Sequence, residues 1–321
     1  MRPAALIALL ALAAVLAGCG SDDGPAAERE AERVTLSLDF TPNAVHAPIY
    51  AAARDGRDRR EGVDLEIRKP GPGPDALKLI TAGKVDLGVL DIHDLAIARQ
   101  QGADLVAIGA LVGKPLAALI GQPGLARPRD LEGKTVGVSG LPSDPAFLRA
   151  ILEHDGADYD RVKQVTIGFS AVARLLSRRV DAVPAFWNAE GVALKAKGRD
   201  VSEFRVEDYG APPYPEVVLV TSRRTLDGER DTLRRTLKAI SAGMDETLAE
   251  PGRAAEEIAE AAESNDVELT REQLDAVAPV FARGLKLDRG VLERWADFDA
   301  EIGIVDERPD VERTFVFSLA G

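Results

Sequence analysis

Apolar and polar positions alternate with period two through Val34-Thr35-Leu36-Ser37-Leu38-Asp39-Phe40, which predicts a half-covered strand that Thr41-Pro42-Asn43 ends. A helix is expected from about Val45 to Arg60, then a second alternating strand over Val63 to Ile67. The turn Gly71-Pro72-Gly73-Pro74 breaks it, Asp75 caps a short helix through Ile80, and Val85 to Leu90 is the next strand. A second series opens with Leu116 to Ile120 as a crossover strand and runs through strand Thr135 to Val138, helix Pro145 to His154, strand Val165 to Ile167 and helix Ala171 to Arg178. Strand Asp181 to Pro184 and helix Ala189 to Lys197 complete it, and Glu216 to Thr221 reads as a second crossover. From Asp227 the pattern is helical, with breaks at Pro251, Ser264 to Asp266 and Gly284, before a strand-like run at Thr314 to Leu319. Strands alternating with helices at these spacings predict βαβ units and parallel sheets, with ligands at the carboxyl ends of strands. Two crossovers predict two α/β lobes joined by a two-strand hinge with a cleft between them. Lobe 1 takes residues 34–115 and 222–321, and lobe 2 takes residues 116–221 with the hinge strands at its ends. No 20- to 50-residue repeat interrupts this reading.

The first 33 positions follow a different pattern. Arg2 precedes the apolar stretch Ala4 to Ala17, too short for a spanning helix of ~20 residues but suited to the core of a signal peptide. It ends in Leu16-Ala17-Gly18-Cys19, which looks like a bacterial lipobox, and Gly20 to Glu32 is polar and Gly/Pro/Glu-rich like a tether. Residues 1–18 are therefore expected to be a lipoprotein signal peptide and residues 19–33 an acylated tether, holding the protein at the cell membrane on its extracytoplasmic side. Composition narrows the partners. With 321 residues, 40 Lys+Arg against 53 Asp+Glu, a net charge of -13 and pI ≈ 4.9, nucleic acid is disfavoured. The single Cys excludes an intrachain disulfide and any Cys-based metal cluster.

Three segments carry a more specific signal: Leu38-Asp39-Phe40-Thr41-Pro42-Asn43-Ala44-Val45-His46, the loop Gly140-Leu141-Pro142-Ser143-Asp144, and Phe186-Trp187-Asn188-Ala189-Glu190-Gly191-Val192. Together with the lipoprotein signal and the two-lobed α/β pattern, the chain resembles the SsuA/THI5-like (NMT1/THI5) substrate-binding proteins of bacterial ABC importers, over nearly all of the mature length. The three segments look like the branch that captures thiamine pyrimidine precursors. That branch usually has Trp at the position of Phe40 and Thr-Asn at Ala44-Val45. The resemblance implies the type II periplasmic binding protein fold, a monomer, ABC permease and ATPase subunits as partners, and no cofactor.

Each candidate contact has a plainer reading beside it. Phe40 ends a strand at the cleft edge, where it can stack on a flat ring or serve as core. Asn43 offers donor and acceptor, and His46 can pair with a ring nitrogen or be structural. Asp91 lies past strand Val85 to Leu90 with His93 and Asp94; this trio is not read as a metal site, and Asp94 reads as a helix N-cap. His154 reads as structural at a helix C-terminus. Ser139 and Ser143 flank a strand-to-helix loop whose free amides favour an acceptor, although ordinary capping explains them equally. Trp187, Asn188 and Glu190 would supply an aromatic plate, an amide and a carboxylate opposite Phe40, the Glu190 carboxyl pairing with an aminopyrimidine edge. Tyr214 completes the enclosure or pads the hinge.

The function expected is extracytoplasmic capture of a small planar heterocycle such as formylaminopyrimidine or hydroxymethylpyrimidine. Riboflavin, a sulfonate or a nitrate-type ligand is the alternative. The same family includes thiamine pyrimidine synthases in which a His equivalent to His46 is consumed; those carry a Cys-rich motif, which this chain lacks.

Overall fold

The structure, a computed structural model, describes residues 31–71 and 75–320. The signal segment, Cys19, nearly all of the tether and the Pro72 to Pro74 part of the expected turn lie outside the described residues. Two five-stranded mixed sheets organise residues 31–320. The strands are β1 (Glu32–Ser37), β2 (Val63–Arg68), β3 (Leu87–Asp91), β4 (Leu105–Val112), β5 (Ala117–Gly121), β6 (Thr135–Val138), β7 (Lys163–Thr166), β8 (Ala182–Phe186), β9 (Ser202–Arg205) and β10 (Val217–Ser222). The first sheet has the order β2-β1-β3-β10-β4 and the second β7-β6-β8-β5-β9. In each, the strands of the βαβ units pair in parallel and a crossover strand enters antiparallel: β10 between β3 and β4, and β5 between β8 and β9.

Alternation marks β1 and β2, and the covered runs β3, β5 and β10 are also expected from the sequence, whereas β4 is not. β4 is an unbroken apolar run, buried at all eight positions, and therefore carries no period-two signal. β9 was also not anticipated. Two other expectations are corrected. The helix expected over 45–60 is a tight turn Ala44–His46, a helix Ala47–Ala53 and a second short helix Arg57–Arg60. Asp55 (φ 55°) and Gly56 (φ 66°) adopt left-handed backbone between the two helices, which no continuous helix tolerates. The terminal run Thr314 to Leu319 is not a strand: it joins the first sheet only through Phe315 bridging Ala107.

The first sheet's core packs Leu36, Val89, Ile108 and Leu219 against the helix Arg230–Ala249. That helix lies so close to Ala47–Ala53 that a Cβ on Gly243 would meet the Pro48 carbonyl oxygen at 2.2 Å. The second sheet closes on Ile120, Val183 and Leu194. No helix among the described residues is long and apolar enough to cross a membrane.

Candidate ligand-binding cleft

A cavity of about 680 Å³ opens between the two sheets, bounded by the carboxyl ends of β1, β3, β6, β7 and β8. Glu216, which precedes β10, closes its floor. One Glu216 oxygen, Oε2, accepts the backbone N–H groups of both Leu116 and Ala117 (3.1 Å to the latter), so a single side chain ties the second connection between the lobes to the first. Glu216 itself is fully buried.

From the first lobe, Phe40 reaches the mouth and meets Phe169 of the second lobe with ring centroids 4.1 Å apart and planes tilted by 48°. Asn43 lines the cavity, but both ends of its amide work locally: Oδ1 accepts the Val45 N–H at 2.9 Å and Nδ2 donates to the Thr41 carbonyl at 3.1 Å. His46 is likewise committed. Its Nδ1 accepts the Asn43 N–H at 3.2 Å, which leaves the proton on Nε2, donated to Asp39 Oδ1 at 2.8 Å. With side-chain exposures of 1% for His46 and 18% for Asp39, the carboxylate is the accessible member of the pair.

From the second lobe, Ser139, Ser143 and Glu190 line the cavity. The loop amides expected to hold a ligand acceptor are already taken. Asp144 Oδ2 accepts the N–H groups of Gly140 (2.7 Å) and Leu141 (3.0 Å) and the Ser139 hydroxyl (3.0 Å), while the Ser143 N–H goes to Asp94 Oδ1 across the cleft at 3.0 Å. A carboxylate inside the loop does the work foreseen for an anion. Asp94 is accordingly not the N-cap of the helix Ile92–Gln100; Asp91 is, accepting the His93 N–H at 2.7 Å.

The segment after β8 departs most from expectation. Instead of starting a helix at Ala189, residues Trp187–Gly191 form one wide turn of π type before the helix Val192–Ala196. The turn keeps Phe186 and Glu190 on the cavity wall, where Glu190 Oε2 accepts the Phe186 N–H at 3.1 Å. It sends Trp187 to the other side. That ring lies under the Arg205 guanidinium, 4.2 Å from it, and donates through Nε1 to the Pro115 carbonyl at 3.2 Å. Asn188 is fully buried behind the wall, and so is Tyr214, whose ring stacks on Phe298 and meets the edge of His93 at 4.7 Å. Phe169 and Phe186 therefore supply the aromatic surfaces opposite Phe40 that Trp187 was expected to supply. Phe169 closes the strand end Val165 to Ile167 after a glycine, the position that ligand-at-strand-end reasoning points to. His154 ends its helix as expected, edge-on to Tyr209 at 5.8 Å.

The cavity is acidic. Asp39, Asp75, Asp91, Asp94, Asp144, Glu190 and Glu216 face it, while Lys78 is its one Lys or Arg among the described residues. Burial pushes the carboxyls of Asp94, Asp144 and Glu190 above the ordinary range. It also raises Asp91 and Glu216, each further influenced by its neighbours in the cluster. Burial disfavours the charged form of His93, but Asp299, 2.7 Å from its Nδ1, together with Asp91 and Glu216, outweighs that and pushes it up to about 10. Such a lining repels small anions and favours donors on a planar, weakly basic ring.

Comparison with known proteins gives a consistent picture. The family model described as NMT1/THI5 like matches residues 43–254. The formylaminopyrimidine-binding protein of Halalkalibacterium halodurans is 32% identical over 252 residues, 78% of this chain and 75% of that protein. The 4-amino-5-hydroxymethyl-2-methylpyrimidine phosphate synthase of Legionella pneumophila is 25% identical over 293 residues, 88% of this chain and 90% of that protein. Among solved structures, the periplasmic aliphatic sulphonate binding protein SsuA from Escherichia coli superposes with a TM-score of 0.70 at 18% identity, covering 90% of this chain and 98% of that one.

Proposed function

The chain belongs to the NMT1/THI5-like family, and from its cleft we infer that it captures a small, neutral or cationic nitrogen heterocycle, an aminopyrimidine of the kind from which thiamine is built, and hands it to an ABC permease. The observation that carries this reading is the pairing of an aromatic mouth, Phe40 against Phe169, with an acidic wall centred on Glu190. A planar ring slipped between the two phenyl groups gains about 0.5–1.5 kcal/mol beyond its buried area for each good stacking contact. The Glu190 carboxyl answers an exocyclic amine beside a ring nitrogen with two hydrogen bonds. The same acidic wall weighs against sulfonate and nitrate, which need cationic or N–H donors that this cavity spends internally.

Calorimetry with formylaminopyrimidine, hydroxymethylpyrimidine, riboflavin and taurine tests the assignment. Either pyrimidine should bind at least a hundredfold more tightly than taurine, a gap of about 2.7 kcal/mol. Tight taurine binding with no pyrimidine response would overturn it, and tight riboflavin binding would keep the aromatic mouth and change the cargo. Relatives that are synthases make turnover worth excluding directly: mass analysis after prolonged incubation with ligand should show the ligand and His46 both intact.

The N-terminal motif supports a proposed site of action. Acylation of Cys19, with cleavage before it, is proposed to anchor the protein on the extracytoplasmic face of the cell membrane. Cys19→Ser should move it from the membrane fraction to the soluble one, and unchanged fractionation would remove the anchor from the account.

A further inference from the structure

We propose that Asp91, His93 and Glu216 form a binding site for one divalent first-row transition ion at the floor of the cleft. One donor atom from each lies within 4.8 Å of the other two. An ion held at about 2.0–2.2 Å from each donor needs them about 3–4 Å apart, so side-chain adjustments of about an ångström gather the set. The backbone around them is tied together. Asp91 ends β3, His93 is one residue into the next helix, and the intervening Ile92 donates its N–H to the Glu216 carbonyl at 3.1 Å.

Each donor is oriented by a second contact, as metal ligands commonly are. Asp91 Oδ1 accepts the His93 N–H, leaving Oδ2; Glu216 Oε2 accepts Leu116 and Ala117, leaving Oε1; His93 Nδ1 faces Asp299, leaving Nε2, whose proton the incoming ion displaces to solvent. Asp299 comes from the remote helix Arg289–Glu301 and is itself fully buried, the arrangement of a carboxylate that fixes a ligating imidazole. The independent sign of a missing partner is Glu216. It is 0% exposed, and its Oε1 meets no N–H or hydroxyl donor among the described residues, only the Asp91 carboxyl beside it, itself an acceptor unless protonated. A buried carboxylate oxygen left in this state is costly unless a cation or a proton meets it. One imidazole with two carboxylates suits Zn²⁺, Mn²⁺ or Fe²⁺ better than Mg²⁺ or Ca²⁺, which prefer oxygen alone. All three side chains line the cavity, which gives the ion an entry path and leaves its remaining coordination positions turned toward the cleft.

The test uses the full chain, stripped with a chelator and titrated by calorimetry with Zn²⁺ and separately with Mn²⁺, no organic ligand being present. One saturable equivalent is expected. Glu216→Gln and Asp91→Asn, which keep the hydrogen bonds to Ala117 and His93, should each weaken it at least tenfold, and His154→Gln, an exposed histidine in the other lobe, should leave it unchanged. Thermal unfolding of the stripped variants reports whether they fold. Zinc-edge absorption of the unaltered protein needs no variant and should show one imidazole among oxygen donors. No saturable equivalent, an all-oxygen shell, or an equivalent that survives both substitutions would overturn the site and leave a shared proton as the group that holds the three side chains together.

Discussion

Asp94 Oδ1 accepts the Ser143 N–H at 3.0 Å, and the two residues belong to different lobes. Both are buried. Two further contacts bridge the same gap, Phe40 on Phe169 and the Gln273 amide donating to the Ala189 carbonyl at 3.0 Å. Asp94→Ala would strand the Ser143 N–H and should cost the closed arrangement about 1–3 kcal/mol, seen as roughly five- to hundredfold weaker ligand binding and a larger ligand-free radius of gyration. Asp94→Asn retains the acceptor oxygen and should behave like the parent. Equal affinity for Asp94→Ala and the parent would show that this contact contributes nothing to closure.

The aromatic mouth gives a second expectation. Rings 4.1 Å apart leave no room for a third between them, so a ligand ring must part Phe40 from Phe169 as it enters. Phe169→Ala should lower affinity by about 0.5–1.5 kcal/mol beyond its area loss. Phe40→Trp should hold or raise it, and Trp187→Phe should leave it unchanged because Trp187 lies off the cavity wall. Calorimetry on the three variants checks the order, and a large loss in Trp187→Phe would contradict it.

Glu190 predicts a pH profile. Burial raises its carboxyl above the usual range, so the neutral form persists to higher pH than in an exposed Glu. A folded-state value above the unfolded one contributes stability that is full below about 4.5 and lost as pH rises through the folded value. The ligand edge and Glu190 together need one proton between them. Once pH exceeds the value of each partner, binding takes up a proton and affinity falls by up to about tenfold per unit. Glu190→Gln carries donor and acceptor at every pH and should flatten this slope. Calorimetry from about pH 5 to 8 in buffers of differing ionisation enthalpy reads both effects, and a flat parent profile would reject the shared proton.

Gly243 tests the packing of the first lobe. A methyl group there would press on the Pro48 carbonyl oxygen at 2.2 Å and the Ala52 nitrogen at 2.7 Å, both of them backbone. Gly243→Ala should therefore destabilise by about 1–3 kcal/mol or more, despite the gain in helix propensity that alanine brings at an exposed site. A melting temperature at or above the parent's would mean that the two helices separate more easily than their spacing implies.

The two-lobed plan was legible because the strands with one open face alternate, and because the crossover strands stand out at Leu116 and Glu216. What the pattern could not carry was direction beyond a strand's end. Phe186 and Trp187 are adjacent aromatics, and only the π turn that follows β8 determines that the first faces the cleft and the second faces Arg205. Capping logic found the loop at Ser139 to Asp144 but assigned its amides outward, since nothing in the spacing reveals that Asp144 folds back onto Gly140 and Leu141. Glu216 was read as the first residue of a strand. Its contacts lie 99 and 100 positions away in sequence, beyond the reach of any local pattern.

Because one oxygen of Glu216 accepts from two successive residues of the opposite connection, sliding the two connections along each other would break both hydrogen bonds. Turning about the cleft floor keeps both. An opening of this kind would lift the walls and leave the floor in place, so a molecule held as proposed would lose Phe169 and Glu190 first and Asp91 and Glu216 last. If the cargo passes to a permease as proposed, its release would be an ordered peeling, in which the receiving protein begins to share the cargo before the donor has let it go.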